Sequence, residues 1–407
     1  MSSKGDANNA TSSHLIDGRW YLATVATYFT GVAILQFTIP VTVQFRLGLG
    51  SQELGIAQAV LLLAIALCLL FGGRLVDAFD KRKILAGSFF VGAALPFGLA
   101  ILVGLVGLSY SGLLAFLLAF GIVAGILNPS RDAILNQVAG TLDYKQLVAK
   151  AGAVQYGVAI FGYILAATIE WLEIIPILIL HGCLMIVGGL AALKLRTALP
   201  PNPGKDTTQQ YQRPSYSRVL NIPGLKTILC QVAILGAFGV GTFLVIIPLK
   251  IFDVFAMKAT GLLAANVIFT VGTMIFSVVI IRSNVDLTKN NSLLMISAFA
   301  MAALIASIGV DLPFYGFLLC MFFWGGATAL ISISLRMRAQ GLPYEDMRGR
   351  IMSLYNLAFI CGTSIGAVVL GYAAERISLL AATTIGGVTA FAIFVASWLI
   401  QRRVLSG

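Results

Sequence analysis

Two basic stretches and a scatter of amides carry most of the chemistry this chain offers. The first stretch is Gly73-Arg74-Leu75-Val76-Asp77-Ala78-Phe79-Asp80-Lys81-Arg82-Lys83. A glycine lets two helix ends approach, an acid follows four residues on, and a basic cluster closes a very short turn. A carboxylate at Asp77 can accept charge-assisted hydrogen bonds from a neighbouring helix, or cap one. Making and breaking such a contact is worth a few kcal/mol, about enough to bias a two-state protein. The plainer reading is a solvated basic loop, yet such a loop has no need of an acid at this spacing among four cations. The second stretch is Met347-Arg348-Gly349-Arg350-Ile351-Met352-Ser353-Leu354-Tyr355, and between the two lies Asn128-Pro129-Ser130-Arg131-Asp132.

The remaining candidates are nearly all uncharged. No Asp, Glu, Lys or Arg falls near the middle of any long apolar stretch, and the one titratable side chain there is His181. Ionisable groups at that depth mark proton relays, which makes His181 the proton-coupling candidate; a lone histidine serves more often to pack and hydrogen-bond. The polar groups left over are Gln36, Gln44, Gln58, Gln155, Tyr156, Gln231, Asn266, Trp324 and Asn356. A buried amide away from water must find a partner, so some of these bridge helices and others line a cavity suited to a bulky, amphipathic ligand. No HExxH, GxSxG or phosphate-cradling loop is present, so neither an enzyme nor a nucleotide-driven pump is expected. No metal site and no cofactor are expected either.

The elements that position these residues are plain in the hydropathy. Of 407 residues 59% are hydrophobic and 11% charged, against roughly 25% charged in a soluble domain. Twelve charge-poor stretches, from Trp20–Val43 to Ile377–Gln401, are each about as long as a helix needs to cross a bilayer core. With both termini in the cytoplasm, all of the 27 Lys and Arg but Arg46, Lys250, Lys258 and Arg376 fall on the cytoplasmic side. That asymmetry is the positive-inside signature of a plasma (inner) membrane protein. Anionic headgroups account for the net charge of +11, so no nucleic-acid partner is invoked. The five cysteines all lie in apolar stretches, form no CxxC pair and read as packing residues.

The prediction is therefore an all-α membrane protein of twelve transmembrane helices in two six-helix bundles. Residues 1–19 form a polar cytoplasmic tail, 20–196 the first bundle, 197–222 a Pro-rich basic linker, 223–403 the second bundle and 404–407 a short end. The stretch Met1–Asp17, rich in Ser, Asn and Ala, is expected to be disordered. A weak internal repeat supports duplication: Gln137–Tyr144 and Ala339–Asp346 each carry a Gln, a Gly, a Tyr and acid ahead of the next helix. Such 6+6 bundles place a ligand near the midplane between them.

The loop around Asp77 resembles the signature of the major facilitator superfamily, Gly-x-Leu-x-Asp-Arg-x-Gly-Arg-Arg. Gly73, Leu75, Asp77, Lys81 and Arg82 match it, while Ala78 and Asp80 depart. The 128–135 and 347–355 stretches are similar to those of the branch that holds the enterobactin exporter and related drug antiporters. The resemblance implies a monomeric secondary transporter that exports a small amphipathic molecule, drug-like or siderophore, by alternating access, with H+ as the coupling ion. It also implies a cytoplasmic gate of Gly73, Asp77, Lys81, Arg82, Arg131, Arg348 and Arg350, and a cavity lined by Gln36, Gln155, Trp324 and Asn356. The branch's acid after a glycine in helix 1 is here Val32, its arginine in helix 2 lies in wholly aliphatic Val60–Leu63, and its Gly-Pro in helix 5 is Ala166-Ala167. Those proton and antiport residues do not carry over. Two alternatives stay open: a lipid or lysolipid flippase-like carrier, and a non-transporting membrane receptor or scaffold.

Overall fold

The computed structural model describes residues 3–139, 144–195, 216–283, 285–287, 290–344 and 347–406. All regular structure among them is helical. Twelve helices are long and apolar enough to cross a membrane, and they fall on the stretches that hydropathy predicts. They are α1 (Ser3–Val41), α2 (Ser51–Ala78), α3 (Lys81–Val106), α4 (Tyr110–Ala139), α5 (Tyr144–Ala167) and α6 (Ile174–Leu193), then α7 (Leu225–Val254), α8 (Ala259–Arg282), α9 (Asn291–Ile308), α10 (Phe314–Gln340), α11 (Arg348–Arg376) and α12 (Leu379–Ser406). Most of the linker expected at 197–222, and parts of both copies of the internal repeat, lie outside the described residues.

One expectation fails at the N-terminus. The polar stretch read as disordered is helical from Ser3, continuous with the first span. An apolar span supplies a nucleus, after which each added residue costs little, and between Ser3 and Asp17 there is no proline to stop the helix. Low hydrophobicity argues against a packed core there, but not against a helix propagated from a neighbour.

The chain forms two compact units. The first holds residues 1–38 and 67–211. Its α3 packs against both α4 and α6, with Leu85, Phe89 and Met185 fully buried. The second holds residues 39–66 and 212–407, so it takes the last turns of α1 and the first half of α2 along with the second half of the chain. Within it α8 lies along α10, α9 contacts both α10 and α12, and α11 runs against α7.

The short loop between α2 and α3 has a definite cap. Asp80 is the N-cap of α3, and its Oδ1 accepts the backbone N–H of Arg82 at 2.9 Å. Asp80 is one of the two positions at which the loop departs from the family signature, and it satisfies one of the orphan amides that every helix start leaves.

Helices α1 and α7 finish alike. Each has a proline in its last regular turn, Pro40 and Pro248, and each then widens into a π turn, Thr42–Arg46 and Lys250–Val254. The N–H of Leu47 bonds the carbonyl of Thr42 and that of Phe255 bonds Lys250, both at 3.0 Å. The N–H groups of Leu49 and Met257 reach back to Val43 and Ile251, also at 3.0 Å. Gly48 and Ala256 then turn the chain with φ of 64° and 52°. Proline has no N–H to donate to the carbonyl four residues back, and in both helices the wider π bonds begin just past it, on the carbonyls of Thr42 and Lys250. The repeated Ile-Pro pair is visible in the sequence at Ile39-Pro40 and Ile247-Pro248, and is a clearer trace of duplication than the stretches at 137–144 and 339–346.

Candidate functional site

The first unit gathers three of the singled-out side chains around two turns of α1. Two threonines of this helix, Thr24 and Thr30, return their hydroxyls to the carbonyls of Tyr21 and Ala26 at 2.7 and 2.8 Å. From α5 the hydroxyl of Tyr163 donates to Oε1 of Gln36 at 3.1 Å, and the Tyr163 ring lies 6.5 Å from that of Phe37. From α4 the guanidinium of Arg131 stands over the rings of Tyr28 and Phe29, 5.1 and 4.8 Å from their centroids. A cation held against two aromatic faces in a desolvated place gains about 2 kcal/mol or more from the ring quadrupoles. Arg131 also pairs with its neighbour Asp132 at 3.4 Å, through a carboxylate that is largely exposed. Its Nη1 is buried with no hydrogen-bond partner among the described residues.

From α6 comes His181, 1% exposed. Its ring lies 5.1 Å from that of Phe120, and it packs so closely on α1 that a methyl group at Gly31 would stand 2.9 Å from Nε2. That nitrogen has no partner among the described residues. Arg131, His181 and Tyr163 thus reach α1 from three different helices of the unit. Gln155, also on α5, is half-buried.

In the second unit Trp324 is fully buried. Its ring is edge-on to Phe269 at 5.4 Å and to Phe243 at 6.3 Å, and its Nε1 has no partner among the described residues. Asn356 is half-buried on α11. At the end of this unit where α1 and α7 make their π turns lies a cavity of about 410 Å³, lined by Gln44, Ser51, Leu249, Asp253, Glu375 and Leu379 among others. Beside it Lys250, only 1% exposed, donates to the carbonyl of Val310 at 3.1 Å, lies 3.8 Å from Asp311 and stands 5.5 Å from the ring of Phe255.

The residues read as a gate are distributed as follows. Gly73 and Asp77 lie in the last turns of α2, and Arg348 opens α11, with their side chains outside the described residues. Lys81 and Arg82 form the first turn of α3, both half-buried. Arg350 is half-buried in the first turn of α11.

Several participants were not legible in advance. Nothing in the spacing of α1 and α5 singles out Tyr163, because which face of α5 meets α1 is settled by packing. Ser51 and Glu375 stand 324 residues apart in sequence. Lys250 reads as an ordinary basic residue at a span end, where a snorkelling lysine would be solvated.

Set against known proteins, residues 21–367 match the sequence model of the Major Facilitator Superfamily. No curated protein sequence is significantly similar to the chain. Among solved structures, a mutant of the nucleoside transporter NupG superposes with a TM-score of 0.73 at 15% identity, over 95% of this chain and 99% of that one. A D-xylose-proton symporter gives 0.73 at 17% identity, over 94% and 97%. A POT family transporter in complex with 5-aminolevulinic acid gives 0.71 at 12% identity, over 95% and 96%. At these identities the likeness speaks for the fold.

Proposed function

The chain belongs to the Major Facilitator Superfamily, and from that premise we propose a secondary transporter that exports a small amphipathic molecule, a drug-like compound or a siderophore, by alternating access. Its family makes it a membrane transporter rather than an enzyme, with a small-molecule substrate bound within the membrane. One observation carries the substrate class. The midspan polar surface is uncharged, built from amides, phenol and aromatic rings such as the Gln36–Tyr163 pair, and such a surface suits a ligand that is part polar and part apolar. Gln36, Gln155, Trp324 and Asn356 are its proposed contacts. Nucleoside, D-xylose and 5-aminolevulinic acid, the solutes in the neighbours' names, are all small organic molecules, which supports the size class.

In this reading His181 takes the coupling proton. The unpartnered Nε2 supports that assignment. Gly73, Asp77, Lys81, Arg82, Arg131, Arg348 and Arg350 close the cytoplasmic side in the outward-open form. The protein sits as a monomer in the inner membrane with both termini in the cytosol. The affinity with the enterobactin-exporter branch rests on the 347–355 stretch and supports export over uptake.

The test is transport in proteoliposomes under an imposed pH gradient. Gradient-driven movement of an amphipathic dye is the expected result, and movement of dye that ignores the gradient overturns the coupling. A second reading, a lysolipid carrier, is favoured by the aliphatic face of α2, where Leu63 and Leu67 are 43% and 61% exposed. Flipping of a fluorescent lysolipid without movement of the soluble dye would select it. Tags at Lys205 and Lys258 are expected on opposite faces of the membrane, and their appearance on one face overturns the topology.

A further inference from the structure

The start of α2 is capped by a side chain from the far end of the chain. Glu375, in the last turn of α11, accepts the backbone N–H of Gln52 at 2.9 Å through Oε2, and the Ser51 hydroxyl lies 3.2 Å from the same oxygen. That hydroxyl also donates to the carbonyl of Gly371, one turn earlier on α11, at 2.9 Å. The close approach continues down α2: a methyl group at Gly55 would run into the carbonyl of Ala367. Gln58 is 2% exposed, with an Nε2 that has no partner among the described residues. Ser51, Gly55 and Gln58 follow i, i+4, i+7 and so share one stripe of the helix. The stripe meets α11 at Ser51 and at Gly55 one turn on, and the charged group, Glu375, sits at its outer end.

From this geometry we infer that Glu375 is a latch residue: its carboxylate, holding the first turn of α2, keeps the sparsely charged end of the protein shut, and release of that contact opens it. The inference rests on the alternating-access reading, in which the two halves of the sequence must separate at this end once per cycle. Three properties suit the contact to that task. It joins opposite halves of the chain through one side chain. An ionised acceptor on a helix N-terminus is strong, since the dipole and the orphan amides both favour it. It is also short-ranged, so a small displacement removes it. Gly50 is part of the device, because a methyl group there would stand 2.8 Å from Oε2 and push the carboxylate aside. The other charged groups at the site are Glu53 of α2, which accepts the N–H of Gly50 at 3.1 Å, Asp253 of α7, which lines the same cavity, and Arg376 of α11, which stands 5.3 Å over the ring of Tyr372.

The experiment uses the full-length protein in nanodiscs and requires no substrate. Hydrogen exchange is followed across residues 50–60, and maleimide labelling of Gln58→Cys is read by mass spectrometry, in the wild type, Glu375→Ala, Glu375→Gln and Gly50→Ala. Glu375→Ala and Gly50→Ala are expected to speed both exchange in the first turn and labelling at position 58, the latter roughly tenfold or more, as loss of a hydrogen bond to a charged acceptor implies. Glu375→Gln keeps an acceptor oxygen and is expected to fall between them and the wild type. Faster exchange confined to the first turn, with position 58 still protected, reduces Glu375 to a local helix cap and overturns the latch. No change in either readout overturns it as well. Exchange across residues 50–60 in the native sequence decides the matter if Gln58→Cys does not fold. Because neither readout depends on flux, a chain that opens in these variants yet carries nothing would disprove the transport reading and leave the latch standing.

Discussion

The hydroxyl of Tyr163 donates a hydrogen bond to the amide oxygen of Gln36 across the α1–α5 contact, at 3.1 Å. The pair ties together two helices of the first unit. Interhelical hydrogen bonds inside membrane bundles are worth about 0.6 kcal/mol on average and up to roughly 2 kcal/mol. Tyr163→Phe and Gln36→Leu should each lower the melting temperature in detergent. The double variant should lose less than the two singles together, by a coupling within that range. Strictly additive losses would show that the two side chains act independently.

Arg131 is held by shape as much as by charge. Its flat guanidinium faces Tyr28 and Phe29, and a lysine ammonium reproduces the charge without the stacking plane. Arg131→Lys should express and fold but lose most of its transport, whereas Tyr28→Phe, which preserves the ring, should keep it. Wild-type flux from Arg131→Lys would mean that a point charge suffices.

Asp77 and Asp80, three residues apart, should respond oppositely. Asp80 caps α3, so Asp80→Ala should cost about 0.5–2 kcal/mol of stability and Asp80→Asn should restore most of it. Asp77→Asn should melt like the wild type and fail to transport. Thermal melts beside flux assays separate the two, and normal flux in Asp77→Asn removes it from the gate.

His181 is the remaining test of coupling. In proteoliposomes, His181→Gln should carry solute down its own gradient while losing the response to an imposed pH gradient. A retained response would place the proton on another residue. Gly31→Ala should disturb the same place by volume alone, since its methyl group would stand 2.6 Å from Cε of Met185 and 2.9 Å from Nε2 of His181. Overpacking of that kind typically costs about 1–3 kcal/mol, seen as a lower melting temperature.

The number and placement of the spans were legible because bilayer thickness imposes one length on every crossing and the absence of charge marks it. The tail before Asp17 was not legible as helix, because a polar composition says only that no core forms there. At the site the difference lies between residue type and residue partner. That Gln36 needs a partner follows from its depth, and that the partner is Tyr163 depends on the rotation of α5 about its axis, which no local pattern encodes. Glu375 reads in isolation as an acid at a span end, open to a proton or simply solvated. Its bond to the Gln52 amide exists only once α2 and α11 touch, and the glycines that permit the touch look like the many other glycines of the spans. The end of α7 differs, since the Ile-Pro pair it shares with α1 is a local pattern, present at Ile39-Pro40 and Ile247-Pro248.

The paired π turns have a mechanical consequence. Each leaves the end of its helix wound more loosely next to a proline, and α7 has a further π stretch at Leu235–Val240. The matching ends of the first and seventh helices therefore share one departure from regular winding, set in both by an Ile-Pro pair just ahead of it.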